Sequence, residues 1–171
     1  YRYRKQQIKI LNENLTKLYN KKKSPFLINL KIIDKCLSEN PEILNDFEAY
    51  LKQLKINRKI DRISGGAICG PHRSDITGYT KGNLPLNQLS TGEQKTIVLL
   101  LIFAQCNYLV NQCSINPIIL MDEICSHLDE INRSILLNLS QEFNLQFFMT
   151  GTDKNLFSFL STNTQYYNIS K

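Results

Sequence analysis

The chain has 171 residues, of which 42% are hydrophobic, and a net charge of +6. That length suits one domain, or one domain with an appendage, and the composition excludes global disorder. The longest uninterrupted apolar run, Ile97 to Ala104, is too short to span a bilayer, and no charged-then-apolar signal peptide opens the chain, so a cytoplasmic protein with no membrane partner is expected.

The charge is segregated. Residues 1–63 hold 15 Lys and Arg against 7 Asp and Glu, whereas residues 64–171 hold 6 against 8. A basic half of this kind suits a polyanion such as nucleic acid; general enrichment in Lys, Asn and Ile is the plainer explanation. The five cysteines (Cys36, Cys69, Cys106, Cys113, Cys125) are odd in number and lack CxxC spacing, so reduced, mostly buried thiols are expected rather than a disulfide framework or a zinc site. The only methionines are Met121 and Met149, and without an initiator the chain reads as a fragment of a longer protein.

In chain order, Ile8, Leu11, Leu15 and Leu18 predict a helix over residues 1–20, broken by Lys21-Lys22-Lys23-Ser24-Pro25. Leu27, Leu30, Ile33 and Leu37 predict a second helix ending near Asn40-Pro41, and Phe47, Tyr50, Leu51 and Leu54 a third. All three stripes read as packing faces of a helical appendage. The Tyr1-Arg2-Tyr3-Arg4 cluster reads as a frayed helix end rather than a base-stacking site. After Gly65-Gly66 come expected strands at Ala67–Gly70 and Asp75–Tyr79, with turns at Lys81-Gly82-Asn83 and Leu84-Pro85. An apolar helix over about Gly92–Val110 follows, then a strand at Ile118–Met121, a helix with Ile131, Ile135 and Leu139, and a strand at Leu145–Thr150. Strand, helix and strand in so short a span predict a βαβ crossover and a parallel sheet.

Two segments carry chemistry. In Leu89-Ser90-Thr91-Gly92-Glu93-Gln94-Lys95, Ser90 and Thr91 are N-cap types with Glu or Gln three residues later. Such a helix start offers free N–H groups to a phosphate, and Gly92 lets the backbone come close. In Ile118-Ile119-Leu120-Met121-Asp122-Glu123, an apolar strand ends in two acids. Such a pair can hold Mg²⁺ through the first carboxylate and activate water through the second.

The order of these segments resembles ABC-type ATPases. The signature helix comes first and the Walker B strand second, followed by a D-loop at Ser126-His127-Leu128-Asp129 and a switch strand ending Met149-Thr150-Gly151-Thr152-Asp153. Within that superfamily Gly70-Pro71-His72-Arg73-Ser74-Asp75, Ser90–Lys95 and Phe148–Asp153 resemble the RecF family, over residues 65–160 closely and over 1–64 loosely. The resemblance implies an α/β fold in which residues 65–171 form the C-terminal lobe of an ABC-type head, with parallel strands and flanking helices. Residues 1–64 would be part of an α-helical arm.

It further implies an ATP-dependent DNA-binding protein of recombinational repair and replication, linked to the SOS response. Such a protein dimerises around two nucleotides on single-stranded or gapped DNA and works with RecO and RecR to load recombinase. Glu123 would be the catalytic base and Asp122 the Mg²⁺ ligand. Ser90, Thr91, Gly92, Gln94, Asp129 and Thr150 would border ATP, with Ser90 and Gly92 serving the partner's nucleotide. No G-x-x-x-x-G-K-[ST] motif occurs, so this chain alone is not expected to hydrolyse ATP, and a weak ATPase would belong to the complete protein. His127 stands where relatives often have Glu and reads as a surface residue rather than a metal ligand; His72 and Arg73 suit either a phosphate contact or a structural loop. The alternatives are another SMC-like head and a non-enzymatic DNA-binding or adaptor remnant.

Overall fold

The computed structural model describes residues 2–34, 36, 38, 46–123, 128–143, 145–160 and 163–169. Helix α1 (Arg2–Asn20) leads to strand β1 (Ile28–Ile33), helix α2 (Phe47–Ser64) and strand β2 (Asp75–Thr80). Helix α3 (Thr91–Cys113), strand β3 (Ile119–Met121), helix α4 (Glu130–Phe143) and strand β4 (Phe147–Met149) complete the fold.

At the centre is α3. Its 23 residues are long and apolar enough to cross a membrane by length and composition. Here Ile97, Leu99, Leu100, Phe103, Ala104 and Cys106 are buried in one cluster with Ile8, Leu15 and Leu18 of α1, Leu136 and Leu139 of α4, and Ile119 and Met121 of β3. An apolar helix of this kind is held as a core element. The expected first stripe is therefore a packing face, directed into the same core as α3. A buried polar contact registers the two helices, because Asn107 Nδ2 donates to Asn14 Oδ1 at 2.6 Å while Asn14 Nδ2 donates to Ile10 O at 2.8 Å. Left unpaired in the core, each amide would cost about 1–3 kcal/mol.

The second expected helix is instead β1. It pairs antiparallel with β2, Ile28 opposite Thr80 and Ile33 opposite Asp75. The apolar positions Leu27, Leu30 and Ile33 fit a helical phase, but Ile28, Leu30 and Ile32 also fit an alternation of two, with Asn29 and Lys31 exposed between them. The partner strand and Asn12 settle the choice: Asn12 Oδ1 accepts from Leu30 N at 2.8 Å and Asn12 Nδ2 donates to Leu30 O at 2.9 Å. One side chain of α1 thus satisfies a β1 backbone position as a neighbouring strand would. The expected end of this element near Asn40-Pro41 lies outside the described residues.

The third stripe does form a helix, α2, capped by the Asp46 carboxylate accepting from Glu48 N and ended by Gly65 at φ 72°, a conformation that favours glycine. Its packing is thinner than expected, since Phe47 and Leu51 are exposed and Tyr50 rests on Cys36 and Cys69. Those two sulfurs form a disulfide with Cα atoms 5.5 Å apart, which corrects the expectation of reduced thiols for this pair. The fold brings together residues 33 positions apart, a proximity no local spacing encodes. Cys106 and Cys113 are free thiols, and Cys125 lies outside the described residues. The strand expected at Ala67–Gly70 is a turn: Ile68 N donates to the Asp61 carboxylate, and Ala67 O receives both His72 Nε2 and Arg73 Nε.

The βαβ crossover is present as read. Strands β3 and β4 are parallel, with Ile119, Leu120 and Met121 opposite Phe147, Phe148 and Met149, and α4 connects them.

Helix α3 starts where it does because of a reciprocal cap. Ser90 Oγ accepts from Glu93 N, and the Glu93 carboxylate accepts from Ser90 N at 2.9 Å and Ser90 Oγ at 2.7 Å. The Ser90 side-chain and backbone hydrogen bonds hold the Glu93 carboxyl below the usual glutamate range.

Phe103 is fully buried, so Phe103→Ala is expected to lower unfolding free energy by about 3–5 kcal/mol in urea denaturation. Val98→Ala, on the exposed side of the same helix, should stay within about 0.5 kcal/mol. Ser90→Ala should cost about 1 kcal/mol. A depressed carboxyl stabilises the fold above its unfolded pKa, and that contribution is lost as pH falls through the lower folded value. Acid titration of stability should therefore show a Glu93 component in the parent chain that shrinks in Ser90→Ala.

Candidate functional site

The sequence-predicted residues gather into two groups. The first lies at the carboxyl ends of β3 and β4. Met121 O accepts from Thr150 N at 3.0 Å, extending the ladder by one rung. The Thr150 hydroxyl then donates to Asp122 Oδ1 and accepts from Glu123 N at 2.9 Å. One threonine on β4's extension therefore holds both acidic residues that follow β3. All three are exposed. Glu123 has φ 50°, a left-handed conformation costly for a residue with a Cβ. Backbone strain of this order is typically retained where the local geometry is used.

The second group joins the N-termini of α3 and α4. Leu89 is buried and seats the cap, while Ser90 and Thr91 are exposed. Gln94 Nε2 donates to Leu89 O at 2.9 Å and Asn87 O at 3.3 Å, so its side chain braces the loop before the helix. Asp129 caps α4, its Oδ1 accepting from Asn132 N at 2.8 Å. A methyl group at Gly92 would lie 3.3 Å from Asp129 Oδ2, so glycine there lets the two helix starts approach closely.

Beneath them Asn132, 1% exposed, and Thr96, 4% exposed, make a buried polar clasp. Thr96 Oγ1 lies 2.7 Å from Asn132 Oδ1 and 3.1 Å from Gly92 O, and Asn132 Nδ2 lies 3.4 Å from the same carbonyl. Sequence reading passed over this pair. The available signal was a threonine and an asparagine on the inward faces of otherwise apolar helices. His72 and Arg73 turn their side chains onto Ala67 O, at 2.8 and 2.9 Å, and so stabilise the loop that carries them. Ser126 and His127 of the expected D-loop lie outside the described residues.

The chemistry on offer is hard-oxygen and anionic at the strand ends, and donor-rich at the helix start. Ser90 Oγ and Ser90 O take Glu93 N and Gln94 N, so the amides of Thr91 and Gly92, the first two of α3, are the remaining donors of that turn. Among the described residues no group of three or more His, Cys, Asp and Glu side chains forms a cation cage. Asp122 and Glu123 do suit a cation that takes one or two carboxylates and completes its shell from water and phosphate, as Mg²⁺ does.

Comparison with known proteins shows the family. The profile described as "RecF/RecN/SMC N terminal domain" matches residues 4–171. The DNA replication and repair protein RecF of Brucella abortus (strain 2308) is 38% identical over 124 residues, 72% of this chain and 32% of that protein. RecF of Agrobacterium fabrum is 36% identical over 124 residues, 72% of this chain and 33% of that one. The chain thus spans about a third of the length of the curated relatives it matches. Two solved structures, the recombination mediator protein RecF with ATP and with ATPrS in the RecFOR pathway, superpose with TM-scores of 0.65 and 0.63 at 20% identity. Each covers 90% of this chain and 41% of the other. At that identity the likeness is one of fold, a mixed α/β one. With the profile matching nearly its whole length, the chain belongs to the RecF/RecN/SMC N-terminal domain family.

Proposed function

We propose that this chain is the part of an ATP-dependent, DNA-binding repair and replication protein of RecF type that carries the acidic pair and the signature helix. The protein would work in the cytoplasm and dimerise around ATP on gapped or single-stranded DNA, assisting recombinase loading with RecO and RecR. The observation that carries this reading is the Thr150 clasp, which fixes Asp122 and Glu123 together at the carboxyl ends of adjacent parallel strands. That is where sheets of this type hold ligands. The curated relatives named for DNA replication and repair support the biological setting.

A phosphate-binding loop would come from polypeptide outside these 171 residues. The exposed pair Leu120 and Phe148, opposite each other in register and 76% and 51% exposed, supports that reading, because parallel strands ordinarily bury both faces.

Thr150 occupies one oxygen of Asp122 and leaves the other for the metal. Glu123, at the start of the turn, would accept a proton from the attacking water. When bound, Mg²⁺–ATP supplies the scissile phosphate and neutralises charge on it. The amides of Thr91 and Gly92 and the hydroxyl of Ser90 would face the γ-phosphate held by a second subunit, and Asp129, close behind Gly92, would keep that helix start in place.

In the intact protein Glu123→Gln should bind ATP normally and hydrolyse it about 10²- to 10⁴-fold more slowly. Asp122→Asn should instead weaken Mg²⁺-dependent nucleotide binding. Turnover at the parental rate in Glu123→Gln would remove Glu123 from the role of base.

Ser90→Arg tests whether the site is shared. Beyond losing a cap, it places a long side chain where the opposing phosphate would approach. ATP-dependent dimerisation, read by light scattering, should fail while each monomer still binds nucleotide. Mixing these subunits with subunits defective in the phosphate loop should restore one composite site and partial dimerisation. Full dimerisation by folded Ser90→Arg would reduce the segment to a helix cap.

A further inference from the structure

We infer that the outward face of α2 is a nucleic-acid backbone contact, an assignment that rests on the DNA-binding reading above and adds a place for it. Lys52, Lys55, Lys59 and Arg62 recur at i, i+3, i+7 and i+10 along α2, so they share one stripe. At 1.5 Å per residue they line about 15 Å of helix. All four are exposed. The opposite side of α2 is the one that meets the body. There Asn57 is buried and accepts from Gln53 Nε2, Tyr50 covers the Cys36–Cys69 disulfide, and the Asp61 carboxylate is taken by Ile68 N.

The stripe is therefore turned outward, and among the described residues it meets no neutralising partner. The ion pairs found among the described residues are those of Lys21 and Lys23 with Glu142. The only carboxylates on α2 are Asp61, already engaged, and Glu48 in the first turn. The exposed acids Asp122, Glu123, Asp129 and Glu130 belong to the loops and helix around the strand ends, in the acidic half of the chain. A polyanion would be drawn to the basic arm and repelled from the catalytic group, which matches the needs of a protein that must hold DNA without letting it occupy a nucleotide site.

Membrane surfaces also attract lysine-bearing helices, and Ile56, Ile60 and Ile63 are exposed on α2. An interfacial helix centres its apolar residues on the face turned to the lipid. Here lysines take the centre of the outward face and the isoleucines lie to one side. A phosphodiester backbone fits that arrangement better, with phosphates on the cations and sugar edges against the isoleucines.

The test is fluorescence anisotropy of a labelled gapped duplex with the intact protein across a salt series. Lys52→Gln/Lys55→Gln/Lys59→Gln/Arg62→Gln keeps helix propensity and removes four charges. Log affinity against log salt should become shallower by roughly 3, since each phosphate contact contributes about 0.7–0.9 to the slope. Affinity should fall at least about tenfold at low salt, with ATP binding and helix content unchanged. Lys52→Arg/Lys55→Arg/Lys59→Arg should retain the parental slope, and Lys81→Gln, on the exposed hairpin turn, should change it by no more than one contact. A parental slope in the quadruple glutamine variant, with the parent binding DNA, would overturn the α2 assignment and leave the DNA-binding reading standing. Absence of salt-dependent DNA binding by the parent would overturn both. Loss of binding to phosphatidylserine vesicles without loss on DNA would reassign the stripe to a membrane.

Discussion

Burial of α3 is the constraint on which the rest of this structure depends. An apolar helix of 23 residues gains by removing its surface from water, yet hydrophobic contact alone sets neither its rotation nor its height. Two buried polar residues do. Asn107 meets Asn14 of α1 and Thr96 meets Asn132 of α4, at 2.6 and 2.7 Å. A slide by one turn or a rotation by one residue would leave an amide or hydroxyl unpaired in the core, at about 1–3 kcal/mol each. With both contacts made, α3 has one position, and its first turn arrives beside the start of α4, with Gly92 against Asp129. Site geometry at the helix start is thus a consequence of core registration.

The acidic group depends on a different device. Short strands of three residues give little inherent rigidity, and both acids are exposed. Thr150 compensates by tying the end of β4 to the residues after β3 through its amide, which bonds Met121 O, and its hydroxyl, which bonds Asp122 and Glu123. That hydroxyl accepts the amide of Glu123, whose φ is positive. Valine at this place would lose both side-chain bonds, having no hydroxyl.

Local signals made much of this legible in the sequence. The α1 stripe, the long apolar run of α3, the reciprocal Ser90–Glu93 cap and the βαβ crossover each declare themselves within a few residues. Misreadings fall where non-local partners decide. Residues 28–33 carry apolar positions compatible with both periods, and β2 together with Asn12 selects the strand. The Cys36–Cys69 bond requires knowing that α2 folds back over 33 residues. The Thr96–Asn132 clasp was hidden because a polar residue in an apolar helix has no visible partner until the second helix is placed. In the candidate site, the residue types and their order could be read, whereas the role of Thr150 as the link between the acids could not, since it comes from a strand 27 residues further on.

The cap also limits how Ser90 can take part in phosphate recognition under the proposed reading. Its hydroxyl has one proton, and that proton lies toward Glu93 Oε2 at 2.7 Å, in a charge-assisted bond. An arriving phosphate would have to win it from a carboxylate, exchanging one strong acceptor for another with little net gain. The amides of Thr91 and Gly92 face no such competition. They are oriented by a helix whose position the core has already fixed, so they need no reorganisation to meet an anion. Most of the attraction would come from this backbone pair and the helix dipole, with Ser90 setting where the helix begins. Gly92 matters for a separate reason, since a Cβ there would point at Asp129. Such a Cβ would press on the Asp129 carboxylate at 3.3 Å even with no ligand bound, so glycine at this position lets the helix start that carries the donor pair lie close against the start of α4.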